Sequence, residues 1–205
     1  MIDDMQYHIH AWHQILNDLG ADLTLEQMRN ECYGKNDELL ERIFPGRFSE
    51  AEKRSMSIEK EKTYQEKFRP HLRLIPGLDQ FLRQAHDQGI PMAIGSAAIR
   101  FNIDFVLDGL NIRHYFSAIV SADDVTHSKP NPETYQQCAK QLGVPAANCI
   151  VFEDAPKGVE AADNAGMKSI VITLMHEKED FANYKNVLAY IRDYRELEHQ
   201  PIPAT

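Results

Sequence analysis

Hydrophobic positions in the first third of the chain recur at helical spacing. Tyr7, Ala11, Trp12, Ile15, Leu16 and Leu19 line one face and Gly20 stops the run, which predicts an amphipathic helix beginning near Met5. Shorter helices are predicted over 25–32 and 36–43, the second ended by Pro45-Gly46. A long charged helix is predicted over 49–68, where Ser49 followed three residues later by Glu52 reads as a capping box. Nothing before Arg69 has the alternation of a strand.

The pattern changes near Ile75-Pro76-Gly77. From there, apolar runs over 90–94, 117–120, 149–152 and 169–172 alternate with helical patterns over 78–88, 99–110, 132–142 and 157–165. Each run is too short for a helix, so it reads as a buried strand. Strand and helix in alternation are the signature of a parallel sheet covered on both faces. The prediction is an α/β fold: a Rossmann-like parallel-sheet core over 73–205, a helical cap domain over 5–72, and residues 1–4 as the remnant of the core's N-terminal segment.

Composition narrows the function classes. No apolar run approaches the roughly 18 residues that span a bilayer, and no basic segment with an apolar stretch opens the chain. A formal charge of −9 disfavours nucleic acid and anionic membranes as partners. The three cysteines show no CxxC or metal-ligand spacing, and their odd number precludes a complete disulfide framework. The expectation is a cytoplasmic monomer with free thiols and a small-molecule partner.

In open parallel sheets ligands bind beyond the carboxyl ends of the strands, so the residues after each apolar run carry the candidate chemistry. The first run leads into Gly95-Ser96-Ala97, a hydroxyl and a following backbone N–H suited to phosphate oxygens; the plainer reading of Ser96 is a helix cap. Past the second run, Ser128-Lys129-Pro130-Asn131-Pro132 holds a lysine between residues of restricted backbone, placed to offset phosphoryl charge or simply to face solvent. The third runs straight into Glu153-Asp154, a solvated turn if alone, and otherwise a seat for Mg²⁺, which takes one or two carboxylates plus phosphate and water. Three successive strand tips would thus bring a hydroxyl, a cation and a metal-binding anion into one crevice.

This set, in this order, resembles the second to fourth motifs of the haloacid dehalogenase-like superfamily, with Ser128-Lys129-Pro130 through Glu153-Asp154 and Gly158 as its most specific part. The helical segment ahead of it is similar to the subclass holding β-phosphoglucomutase and phosphoglycolate phosphatase. The resemblance implies Mg²⁺-dependent phosphoryl transfer from a small phosphorylated substrate, a sugar phosphate for preference. It implies Ser96 and the Ala97 N–H on phosphoryl oxygens, Lys129 on developing charge, and Glu153 and Asp154 on the metal. His8 matches a hinge-side histidine that approaches the substrate, and Lys35 and Asn36 stand where relatives carry residues that contact its non-reacting part, the plainer reading of both being exposed helix-start residues.

In that family the first strand ends in Asp-x-Asp-Gly, whose first aspartate is the nucleophile. Met1 to Trp12 matches the segment that follows this motif, so the strand and both aspartates are expected to be absent and the chain inactive. About a dozen further residues ahead of Met1 would restore them. Two other readings compete: a non-catalytic phosphate-binding protein of the same fold, and a metal-independent haloacid dehalogenase. His8, His10 and His13 do not share a helix face, which argues against a zinc site.

Overall fold

The computed structural model describes residues 1–197. Helices α1 (Met5–Asp18), α2 (Leu25–Glu31), α3 (Asn36–Ile43) and α4 (Glu50–Phe68) make up the N-terminal part. Their apolar faces meet in a small core of Ile9, Trp12, Leu16, Met28, Leu39 and Leu40. The capping box expected at Ser49 is present: its hydroxyl accepts from Glu52 N and the Glu52 carboxylate accepts from Ser49 N. Helix α4 is unusual in what it buries, since Lys53, Ser57, Lys60, Glu61 and Gln65 are all inside. At its end Tyr64 and Phe68 pack on Phe105 and Val106, which joins it to the second half of the chain.

That half contains α5 (Leu78–Asp87), β1 (Ala93–Gly95), α6 (Arg100–Gly109), β2 (Ala118–Val120), α7 (Glu133–Leu142), β3 (Ile150–Glu153), α8 (Pro156–Asn164), β4 (Lys168–Ile172) and β5 (Val187–Ile191). All pairings are parallel, as expected of strands linked by helical crossovers. One face of the strands packs on α5 and α6 through Leu78, Leu82, Ile103 and Leu107. The other packs on α7 and α8 through Tyr135, Ala139, Ala161 and Ala162. Neighbours in β4 divide between the faces, with Ile170 in the first cluster and Val171 against Val159 and Phe181, as the pleat requires.

Three features differ from the sequence reading. Strand β1 begins at Ala93 rather than Ile90, because Ile90 N closes the end of α5 on Ala85 O and Pro91 has no N–H to give. Strand β5 follows a polar stretch, leaves Leu188 half exposed, and has no counterpart in the prediction. Finally, the strands form two sheets, β1-β2 and β3-β4-β5, rather than one. The inner edges, β1 and β3, exchange no backbone hydrogen bonds among the described residues, although Ile94 and Phe152 belong to one hydrophobic cluster. No helix among these residues is long and apolar enough to cross a membrane.

Candidate active site

The tips of the two sheets are joined by a lysine. Lys129 Nζ donates to Glu153 Oε1 at 2.6 Å, to the Tyr135 hydroxyl at 2.7 Å and to Gly95 O at 3.3 Å, and lies 4.5 Å from the centre of the Tyr135 ring. Its loop is firmly held. The Glu133 carboxylate accepts from Thr126 N and His127 N, and Asn164 donates to Pro130 O. The Lys129-Pro130 peptide is cis.

Glu153 ends β3 with its side chain turned into the protein. Oε1 accepts from Lys129 and from the Tyr135 hydroxyl, and Oε2 accepts from the backbone N–H of Asp154 and of Ala155. A carboxylate offers about four such positions, so this one is fully engaged by the protein. Burial pushes its acidity constant up, but the Lys129 ammonium and these hydrogen bonds outweigh it and hold the carboxyl well below the usual range. Helix α8 passes so close that a Cβ on Gly158 would stand 2.0 Å from Glu153 Oε1.

Asp154 contrasts with its neighbour. It forms no salt bridge with a lysine or arginine among the described residues. Burial, and then the charge of Glu153, push its carboxyl up to about 6, partly offset by the Met1 α-amino group nearby. A carboxylate without a lysine or arginine hydrogen-bonded to it can take a divalent metal ion, whereas Glu153 has no lone pair left to offer. No group of three or more His, Cys, Asp or Glu side chains among the described residues could enclose a metal by itself.

Ser96 follows Gly95, the β1 residue whose carbonyl meets Lys129. Its N–H continues the ladder to Val120 O, and its hydroxyl accepts from Ala98 N. It does not cap α6, whose N-cap is Ile99; it closes the turn just ahead, where Ala97 is exposed. Gly95 and Glu153, the sequence neighbours of Ser96 and Asp154, therefore meet at the one Lys129 ammonium group.

The other candidates lie on the α1 to α4 side. His8 stacks on Tyr64 with ring centres 3.9 Å apart. Its Nε2 lies 3.2 Å from Asp4 Oδ2, and Lys60, which can only donate, reaches its Nδ1 at 2.6 Å. Burial pushes Asp4 up, yet its hydrogen bonds from His8 and from the Tyr64 hydroxyl hold it below the usual range. Asn36 donates to Glu61, which also pairs with Lys60 and accepts from Asn102 of α6. Lys35 reaches Val125 O at 2.5 Å. Lys35 and Asn36 are thus both engaged by protein groups. Sequence reasoning passed over Lys60, Glu61, Asn102 and Tyr135; the one cue was Tyr135 standing three residues past Pro132 on the helix that leaves the lysine loop.

A family model for haloacid dehalogenase-like hydrolases matches residues 1–172. The chain belongs to this family. It is 29% identical over 175 residues to a fructose-1-phosphate phosphatase of Escherichia coli, covering 85% of this chain and 92% of that one. Hexitol phosphatase B of the same organism is 33% identical over 107 residues, 52% of this chain and 48% of the relative. Among solved structures, a β-phosphoglucomutase from Clostridium difficile superposes with a TM-score of 0.83 at 27% identity, covering 97% of this chain and 89% of that one. Its relatives in the family thus include sugar phosphatases and a phosphomutase, and its α/β fold is theirs.

Proposed function

We propose that this chain is the scaffold of a Mg²⁺-dependent phosphoryl-transfer enzyme acting on a small phosphate monoester, a sugar phosphate in keeping with its relatives. The observation that carries the reading is the Lys129 ammonium, held between the tip of β1 and the Glu153-Asp154 pair. Lys129 offsets charge on the phosphoryl oxygens, Ser96 and the Ala97 N–H orient them, and Asp154 is the protein's carboxylate toward the metal. A bound Mg²⁺ would supply charge neutralisation on the phosphate. Glu153 acts one step back, fixing Lys129. Helices α1 to α4 serve as a cap that closes over the site and excludes water.

The nucleophile is the part this chain does not supply. No two of its aspartates stand two residues apart, and Asp4 is occupied by His8 and Tyr64. β1 and β3 exchange no backbone hydrogen bonds among the described residues, and on this reading an extended strand bearing such an aspartate would pair between them. By itself the chain then binds phosphate without turning over esters. The test is a screen of phosphate monoesters, with and without Mg²⁺, on the chain as it stands and on one extended ahead of Met1 by an apolar strand ending in Asp-x-Asp-Gly. Mg²⁺-dependent turnover in the extended protein alone is expected. Metal-free dehalogenation of a haloacid, or an extended protein inert toward every ester, would overturn the reading.

A further inference from the structure

One short segment of the cap touches the core at three points. Lys35 Nζ donates to Val125 O at 2.5 Å, the Ser128 hydroxyl donates to Glu38 Oε2 at 2.7 Å, and the Lys157 ammonium stands 3.7 Å from the centre of the Tyr33 ring. The core partners are not scattered. Val125 and Ser128 lead into Lys129, and Lys157 follows Asp154 by three residues at the start of α8. Both loops that carry the charged groups of the site are therefore gripped by residues 33–38.

Glu38 is the centre of this contact. The oxygen that accepts from Ser128 also accepts from Lys35 N at 2.9 Å, so one carboxylate caps the start of α3 and holds the core loop. Gly34 makes room for it: its φ is +77°, and a Cβ there would stand 2.5 Å from Glu38 Oε2. An open groove of about 510 Å³ runs along the seam beside it, lined by Glu38, Thr126, His127, Ser128, Asn131 and Asn164. The contact is thus a local bridge at the edge of an open groove, apart from the packing of α4 on α6.

We propose that Glu38 is a positioning residue: through Ser128 it fixes the loop that presents Lys129 when the cap is closed, so that closure and the placement of the phosphate-binding cation are one event. This rests on the phosphoryl-transfer reading. A charge-assisted hydrogen bond to the residue next to Lys129 restrains that loop directly, and opening the cap releases it. The Tyr33–Lys157 contact does the same for the start of α8.

The full chain with Glu38→Ala, Glu38→Gln and Ser128→Ala tests this. Two readings are taken: amide hydrogen exchange over residues 126–129, and titration with inorganic phosphate in the presence of Mg²⁺. Glu38→Ala and Ser128→Ala are each expected to speed loop exchange and weaken phosphate binding by about tenfold. Their combination should do no worse than either. Glu38→Gln, which keeps an acceptor, should restore most of both. Parent-like exchange and affinity in Glu38→Ala, or a glutamine as damaging as alanine, overturns the proposal while phosphate binding by the parent stands. A parent that binds no phosphate overturns the phosphoryl-transfer reading instead, and the positioning role with it.

Discussion

The Tyr135 hydroxyl lies 2.7 Å from Glu153 Oε1, and both side chains are buried. Lys129 closes the triangle, at 2.7 Å from the hydroxyl and 2.6 Å from the carboxylate. A buried carboxylate is tolerated only when paired and hydrogen-bonded, and here every acceptor position has a donor. The arrangement gives Lys129 a fixed position without using Asp154, which leaves that second carboxylate for the metal proposed above. Stability and site geometry are therefore linked through one lysine.

Removing that lysine should cost more than removing the pair. Lys129→Met strands Glu153 as an unpaired buried charge, at about 3–5 kcal/mol, whereas Lys129→Met with Glu153→Gln should recover part of the loss. Urea denaturation of the single and double variants measures this. The pH dependence follows from the same contact. Because the folded acidity constant of Glu153 is depressed, its contribution is complete above the ordinary carboxylate value and fades as pH falls toward about 2. The single variant should lose that acid-side slope.

Gly158 provides a steric test. An alanine in a helix ordinarily gains up to about 1 kcal/mol over glycine. Here the added methyl meets Glu153 Oε1 at 2.0 Å, so Gly158→Ala should instead destabilise by about 1–3 kcal/mol, read from the urea midpoint. A stabilised variant would mean that α8 and Glu153 are not in contact.

Asp154 should act in the opposite sense to Glu153. Its acidity constant is raised to about 6, so the folded state holds the proton more tightly than the unfolded chain does, and ionisation works against folding. The penalty is absent below the ordinary aspartate value and complete above about 6. Asp154→Asn should therefore raise the melting temperature in metal-free buffer near neutral pH, and the gain should vanish as pH falls below the ordinary aspartate value. Adding Mg²⁺ should narrow the difference by stabilising the parent alone. Thermal unfolding under these conditions checks each statement.

The helices were legible in the sequence because their signals are local. The period of Tyr7 to Leu19, the Ser49 and Glu52 cap, and the Gly and Pro stops need no knowledge of partners. Strand β5 lacked such a signal, as Val187–Ile191 is a half-exposed stretch recognised only by its pairing with β4. Lys60 and Glu61 looked like any charged run, because what buries them is non-local: His8 on α1 and Asn102 on α6. Tyr135 was hidden for a related reason, since its role depends on Glu153, 18 residues away. The strand-tip residues were readable because parallel topology itself collects them, but which of two adjacent carboxylates faces inward is decided by packing.

Titration of inorganic phosphate into the chain, with and without Mg²⁺, tests the central claim most directly when the parent is compared with Ser96→Ala, Asp154→Asn and the Lys129→Met, Glu153→Gln pair. The account predicts that the parent binds phosphate more tightly with Mg²⁺, that Asp154→Asn abolishes the metal's effect, and that the other two variants bind at least about tenfold more weakly. A parent silent to phosphate, or variants that bind as it does, would contradict a shared phosphate site at these strand tips.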